Sequence, residues 1–353
     1  MTSIDVESFP VEGSDSGPIL EVNDLVTSFA TPRGRLTAVN HVSFALDRGE
    51  TLGVVGESGS GKTVLSRSIL NLLPSKGLEQ SGSVIFDGTD MLTAPKDVLR
   101  TLWGARISMI FQDPMSSLNP VVRIERQITE TLRLHLKMDR KEAKATAVAL
   151  LDQVGIPSPA ERVRNYPYQL SGGMRQRVMI AIAIACSPRL VLADEPTTSL
   201  DVTVQAQILD LLAAMKAERN MSMILVSHDL GVVATRADRI AVMYGGRIVE
   251  IAPTKTLFAS MAMPYTQALI GSTPRISQAS HVRLTAIEGR PPDLVNPPQG
   301  CAFAPRCPYA TEQCRTDVPP LVAARNNAAH LYACWNPLSG SGGTVSTQGG
   351  ASS

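Results

Sequence analysis

Nothing in this 353-residue chain is long and apolar enough to cross a bilayer. The longest uninterrupted apolar run, Val178 to Cys186, covers nine residues, about half of what a spanning helix needs. The N-terminus lacks the basic, apolar and small-residue succession of an export signal. A surplus of charge is missing as well. Lys+Arg total 33 against 32 Asp+Glu, a formal net charge of +1, so there is no electrostatic footprint for nucleic acid or for an anionic membrane surface. No internal repeat is present, and the length allows one principal domain with an appendage.

What is present begins at Thr51. Thr51 to Val55 is a short apolar stretch, and Gly56 to Thr63 read GESGSGKT. This order predicts a strand, a glycine-rich turn, and a helix that starts near Gly61 and runs through Val64 to Leu72. Glycines in such a turn let successive backbone N–H groups converge on an anion. Gly56, Ser58, Gly59, Ser60, Gly61 and Val64 are therefore candidate nucleotide-binding positions. Lys62 can reach the outer phosphates, and the Thr63 hydroxyl is placed to ligate magnesium. The loop alone says that a nucleotide binds and no more.

Three further segments carry chemistry. Leu170 to Arg177 read LSGGMRQR, with Ser171 at a helix N-cap position. Gly172 and Gly173 expose backbone N–H groups at the positive end of the helix running to Cys186. The chain thus carries two phosphate-seeking elements. Leu190 to Asp194 is an apolar run ending in a carboxylate, as expected for a buried parallel strand that delivers Asp194 to magnesium, and Glu195 follows. His228 ends a second such run, Met223 to Ser227. Singly these are commonplace, since a histidine at a strand end is more often structural than catalytic. Their order and spacing make them specific.

With those residues in place, the stretch from Ile19 to Tyr265 resembles the ATPase subunit of an ATP-binding-cassette (ABC) transporter. The resemblance implies an α/β fold: an antiparallel β subdomain, a parallel-sheet RecA-like core, an inserted helical subdomain and, here, a small cysteine-containing C-terminal extension. It implies ATP and Mg2+ as ligands and attack on the γ-phosphate by an in-line water. Lys62 and Thr63 match the Walker A pair, and Gln112 in FQDP matches the glutamine that touches magnesium and the attacking water. Ser171, Gly172, Gly173 and Gln176 match the signature loop. Asp194 and Glu195 match the Walker B pair, with Asp194 on the metal and Glu195 polarising the water. Ser199 to Asp201 match the D-loop, and His228 the switch histidine. Phe29 falls where the family stacks an aromatic ring on adenine. The implied catalytic set is Glu195, His228, Gln112 and Lys62; the implied magnesium set is Thr63, Gln112 and Asp194. In the family two cassettes pack head to tail and each site is shared.

The expected organisation is a disordered N-terminus at 1–17, an ATPase domain at 18–265 with its helical subdomain at about 114–185, a C-terminal extension at 266–336 and a disordered tail at 337–353. Within it, Ile19 to Leu46 reads as half-buried strands around a turn at Pro32 to Gly34. Gly53 to Gln112 and Arg189 to Val249 carry the parallel core, and Arg140 to Val154 has helical period. FQDPMSSLNP (Phe111 to Pro120), YPYQLSGGMRQR (Tyr166 to Arg177) and MPYTQALI (Met263 to Ile270) narrow the resemblance. They look like cassettes that drive uptake of dipeptides and oligopeptides, with nickel importers as close cousins. The chain departs from that pattern at Tyr168 and Met263, where His is usual, and at Ser199, where Ala is usual; none of these handles phosphate.

The subgroup implies a second cassette, by family habit a paralogue, two transmembrane permeases and an extracytoplasmic solute-binding protein. The permeases' coupling helices would meet Pro114 to Leu136 at the cytoplasmic face of the cell membrane. It implies no nucleic acid partner. A soluble cassette acting on nucleic acid or ribosomes is disfavoured by the single Walker A, the single signature and the near-zero charge. A non-hydrolysing regulator is disfavoured by intact Lys62, Gln112, Asp194, Glu195 and His228. The solute rests on analogy, because a cassette sees only ATP.

Cys301, Cys307, Cys314 and Cys334 are four of the five cysteines, with five, six and nineteen residues between them. Cys186, alone on an apolar helix, reads as a small buried hydrophobe. A cytosolic setting argues against stable disulfides, so the four thiols read as a zinc site, an iron–sulfur site or free thiols. No C-x2-C pair decides among them. The surrounding PPDLVNPPQGCAFAPRCPYA (Pro291 to Ala310) resembles the C-terminal extension of peptide-importer cassettes, which in some relatives carries a 4Fe–4S cluster. The resemblance makes such a cluster the expectation, as a staple for a proline-rich segment with few apolar residues.

Overall fold

Two kinds of strand are separated by how the chain distributes its apolar residues. A computed structural model describes residues 17–197, 201–272 and 287–338. Among them twelve strands form: β1 (Leu20–Thr31), β2 (Gly34–Leu46), β3 (Thr51–Val55), β4 (Leu78–Phe86), β5 (Thr89–Asp90), β6 (Ile107–Ile110), β7 (Leu190–Asp194), β8 (Ser222–Ser227), β9 (Arg239–Tyr244), β10 (Arg247–Pro253), β11 (Val322–Ala324) and β12 (Asn327–Tyr332). The tails expected to be disordered lie outside the described residues apart from Gly17, Pro337 and Leu338, as does Ser199.

One sheet is antiparallel, in the order β2-β1-β4-β5. The expected turn joins β1 to β2, and Phe29 pairs with Leu36 on one side and Leu78 on the other. Residues 53–112 do not all enter the parallel core, because β4 joins this sheet instead. Its sequence explains why: only Val84 and Phe86 are fully buried, whereas a parallel core strand must be covered on both faces.

The second sheet runs β11-β12-β10-β9-β3-β8-β7-β6. β3, β7 and β8 are buried at every residue, and the pairs β9-β3, β3-β8, β8-β7 and β7-β6 are parallel. Parallel strands end at a common edge, so the loops after β3, β6, β7 and β8 meet there. Past β9 the pairing turns antiparallel through β10, β12 and β11. The C-terminal segment is therefore built onto the core sheet. Glu250 of β10 and His330 of β12 bring their side chains to 2.8 Å, both buried. The same carboxylate accepts from the backbone N–H groups of Ala262 at 2.6 Å and Met263 at 3.2 Å, which supplies the partners a buried charge requires.

Between β6 and β7 lies a helical lobe. In the helix Ile124–His135, Ile124, Ile128 and Leu132 recur every four residues and are fully buried, packing in one core cluster with Ala143, Ala147 and Leu151 of the helix Arg140–Gln153. Asp139 caps that second helix by accepting from the Lys141 and Glu142 N–H groups. A third helix, Gly172–Ile184, completes the lobe. Among the described residues no helix is long and apolar enough to cross a membrane.

The two sheets are joined at Asp87, which follows β4. Its buried carboxylate takes Arg48 at 2.8 Å, Arg189 at 2.7 Å and Arg106. Arg106 and Arg189 immediately precede β6 and β7, so one carboxylate ties the antiparallel sheet to the edge of the core.

Candidate active site

The loop after β3 is shaped by glycines that no other residue can replace without displacement. A Cβ on Gly56 would lie 2.2 Å from the Met243 carbonyl oxygen, and one on Gly61 would lie 2.2 Å from that of Ala38. Gly61 has φ 104 and caps the helix Lys62–Ile69 without a side-chain hydrogen bond, so the first N–H groups stay available to an anion. Lys62 folds back over the loop, its Nζ donating to the Gly56 carbonyl at 2.8 Å and the Glu57 carbonyl at 3.0 Å. Burial lowers its pKa, and the carboxylates of Glu195, Asp194 and Glu57 oppose that shift. A phosphate oxygen offers this ammonium a stronger acceptor than either carbonyl.

Thr63 Oγ1 donates to Asp194 Oδ1 at 3.1 Å. Asp194 is 1% exposed, and its Oδ2 is buried with no hydrogen-bond partner. Burial raises the Asp194 pKa, with the Thr63 hydrogen bond acting against it. A buried carboxylate oxygen without a donor, beside a hydroxyl, is a donor set that fits Mg2+.

Glu195 comes next with φ 46, a left-handed conformation costly for a non-glycine residue and of the kind that clusters at functional sites. It points its carboxylate to a different set of partners. Gln112 Nε2, just past β6, donates to Glu195 Oε2 at 2.9 Å, and His228 Nδ1, just past β8, lies 3.3 Å from the same oxygen. Lys62, Thr63, Gln112, Asp194, Glu195 and His228 thus gather from four adjacent strands.

The remaining expected residues divide. Ser58 and Gly59 are exposed at the tip of the loop, while Ser60 Oγ is buried with no partner, a second orphan next to the cradle. Val64 packs against the core beneath the antiparallel sheet. Phe29 is half-buried on β1, in the same sheet as the Ala38 carbonyl that abuts Gly61. Ser171 caps the helix Gly172–Ile184 by accepting from the Met174 N–H, with Gly172 and Gly173 in its first turn and Gln176 buried, its Nε2 unpartnered. Asp201 caps the helix Val202–Arg219, accepting from the Val204 N–H at 2.9 Å. Among the described residues no hydrogen bond or ion pair joins 171–176 or Asp201 to the 56–64 loop.

Three residues at the site escape sequence reasoning. The Glu57 N–H donates to the Tyr265 hydroxyl at 2.9 Å, and the Glu57 carboxylate takes both arms of Arg306 at 2.6 and 3.0 Å. Glu57 fills a variable position of the loop motif, and nothing local marks a partner 249 residues away.

The expected 4Fe–4S cluster on Cys301, Cys307, Cys314 and Cys334 does not stand. All five cysteines are free thiols, and among the described residues no group of three or more His, Cys, Asp or Glu is placed to hold a metal ion. The sulfurs serve otherwise. Cys301, Cys307 and Cys334 pack against the main core cluster, and Cys314 Sγ lies 3.4 Å from Thr311 Oγ1 and takes Asn336 Nδ2 at 3.6 Å. Burial raises the thiol pKa of Cys301 and Cys307 and pushes that of Cys334 up to about 12. Sheet pairing through β12 and the Glu250–His330 contact hold the segment in place of a metal staple.

A parallel core with an anion cradle after β3, and a lobe presenting a second capped glycine helix, is the architecture of an ATP-binding-cassette ATPase. The family model for the ABC transporter matches residues 39–198, and that for the oligopeptide/dipeptide transporter C-terminal region matches residues 249–314. The oligopeptide transport ATP-binding protein OppD of Salmonella typhimurium is 48% identical, covering 91% of this chain and 94% of its own. That of Bacillus subtilis is 49% identical, covering 90% and 88%. Among solved structures, the cassette MJ0796 in a dimeric post-hydrolysis state with ADP and Pi matches with TM-score 0.60 at 25% identity, over 67% of this chain and 98% of that one. The chain belongs to the ABC transporter family, among its oligopeptide-type ATP-binding subunits; it binds ATP with Mg2+ and hydrolyses ATP.

Proposed function

We propose that this chain energises the import of dipeptides or oligopeptides, as a peripheral subunit at the cytoplasmic face of a membrane. Its partners are a paralogous cassette, two permeases that engage residues 114–136, and an extracytoplasmic solute-binding protein. Residues 18–265 form the ATPase domain with its helical subdomain at about 114–185, and residues 266–336 form the extension.

The observation that carries the catalytic reading is the convergence of Gln112 and His228 on one oxygen of Glu195. Held from both sides, that carboxylate is oriented to accept a proton from a water attacking the γ-phosphate. Lys62 moves from its carbonyl partners to the outer phosphates, and Phe29 stacks on the base. Thr63, Gln112 and Asp194 would hold Mg2+, which would supply charge neutralisation to the phosphates. The separation of Ser171, Gly172, Gly173, Gln176 and Asp201 from the chain's own loop supports a site shared between two cassettes. The peptide reading rests on the oligopeptide/dipeptide match at 249–314 and on the OppD relatives.

The complex co-purified from membranes through a tagged copy of this chain, reconstituted in liposomes, tests the reading. Short peptides in the presence of the binding protein are expected to stimulate ATP hydrolysis. Stimulation by nickel salts and none by peptides would overturn the peptide assignment.

A further inference from the structure

Arg306 lies in the C-terminal segment, yet its side chain is 4% exposed and its guanidinium faces the phosphate loop. Its two arms meet the two carboxylate oxygens of Glu57 at 2.6 and 3.0 Å, the planar two-point geometry available to arginine and not to lysine. The other donors are used as well. Nη1 also reaches the Tyr244 hydroxyl at 3.2 Å, Nη2 the Ile287 carbonyl at 3.0 Å, and Nε the Glu288 carbonyl at 2.8 Å. The guanidinium carbon sits 5.9 Å from the Tyr244 ring centre and 6.0 Å from that of Phe303. Beneath it Tyr244, Tyr265 and Phe303 pack ring on ring at 4.4 to 5.4 Å, and the Tyr265 hydroxyl accepts the Glu57 N–H at 2.9 Å. Backbone and carboxylate of Glu57 are therefore both held by groups outside the loop.

Charge makes the arrangement more than a staple. Glu57 places a carboxylate in a loop whose task is to collect phosphates, and an unpaired anion there would repel a nucleoside triphosphate. We infer that Arg306 is a positioning residue of the ATPase. It cancels the Glu57 charge and fixes the loop's second residue, so that nucleotide affinity and the seating of the C-terminal segment depend on each other. The inference rests on the ATPase reading, and the dependence runs in both directions by linkage.

Equilibrium binding of Mg-ADP and of a slowly hydrolysed ATP analogue to the full-length chain tests it. Arg306→Ala is expected to weaken binding about tenfold, within the usual range of couplings between sites, and Arg306→Lys by less. The double variant Glu57→Gln with Arg306→Ala is expected to return to within about threefold of wild type, because the repelling charge is gone. A purely structural staple would leave the double variant as weak as the single one, and that result overturns the inference. So does Arg306→Ala binding as tightly as wild type. If Arg306→Ala does not accumulate folded, Arg306→Gln carries the same comparison. A folded wild-type chain that binds neither nucleotide overturns the ATPase reading itself, and this inference with it.

Discussion

Thr63 Oγ1 and Asp194 Oδ1 meet at 3.1 Å, while the second carboxylate oxygen of Asp194 is buried without a partner. The first turn of the helix Lys62–Ile69 and the end of β7 thereby present one hydroxyl and one open carboxylate to the same point. Asp194→Asn removes the anionic ligand and keeps the shape. The expected outcome is nucleotide affinity that no longer responds to Mg2+, with the metal-dependent gain reduced at least ~10-fold. Nucleotide titrations with and without EDTA check this, and an undiminished Mg2+ effect in the variant would remove Asp194 from the metal site.

Asp87 gives a pH-dependent prediction. Burial by itself raises its pKa, but the hydrogen bond from Arg48 and the charges of Arg106, Arg189 and Arg48 outweigh that and hold the carboxyl below the ordinary range. A carboxyl with a depressed folded pKa adds stability above its unfolded pKa of ~3.9, and that stability is lost as pH falls through the folded value. Asp87→Asn leaves three guanidiniums without their carboxylate. It is expected to cost about 3 kcal/mol at neutral pH, with the gap to wild type narrowing as pH falls below 4. Urea unfolding at both pH values measures the gap; a gap independent of pH would show that Asp87 acts by packing alone.

How far the site could be read from the chain follows from distance and from burial. The cradle, Asp194 and His228 were legible because each ends a buried apolar run, and runs covered on both faces leave parallel strands little alternative. Ser171 was legible as a helix N-cap, the position it takes, whereas Gln112 came through motif resemblance alone and lies against Glu195. β4 was not legible, since LEQSGSVIF has no clean alternation and Gly82 sits at φ 90 against the Asn23 and Asp24 carbonyls. Glu57 and Arg306 meet across 249 residues, a contact that no local pattern encodes. The cysteines misled because their spacing left several states open and resemblance to relatives that carry a cluster decided among them, while these sulfurs fill the core and take polar side chains.

In the proposed reaction the carboxylate held by Gln112 and His228 drives hydrolysis. The measurement that tests it most directly is ATP turnover by Glu195→Gln in the assembled complex, alongside nucleotide binding by the same preparation. The expected result is unchanged ATP binding with turnover lower by at least ~10²-fold, the scale of a lost general base, and a nucleotide-bound pair of cassettes that accumulates. Turnover at the wild-type rate would remove Glu195 from the role of base and move the base elsewhere.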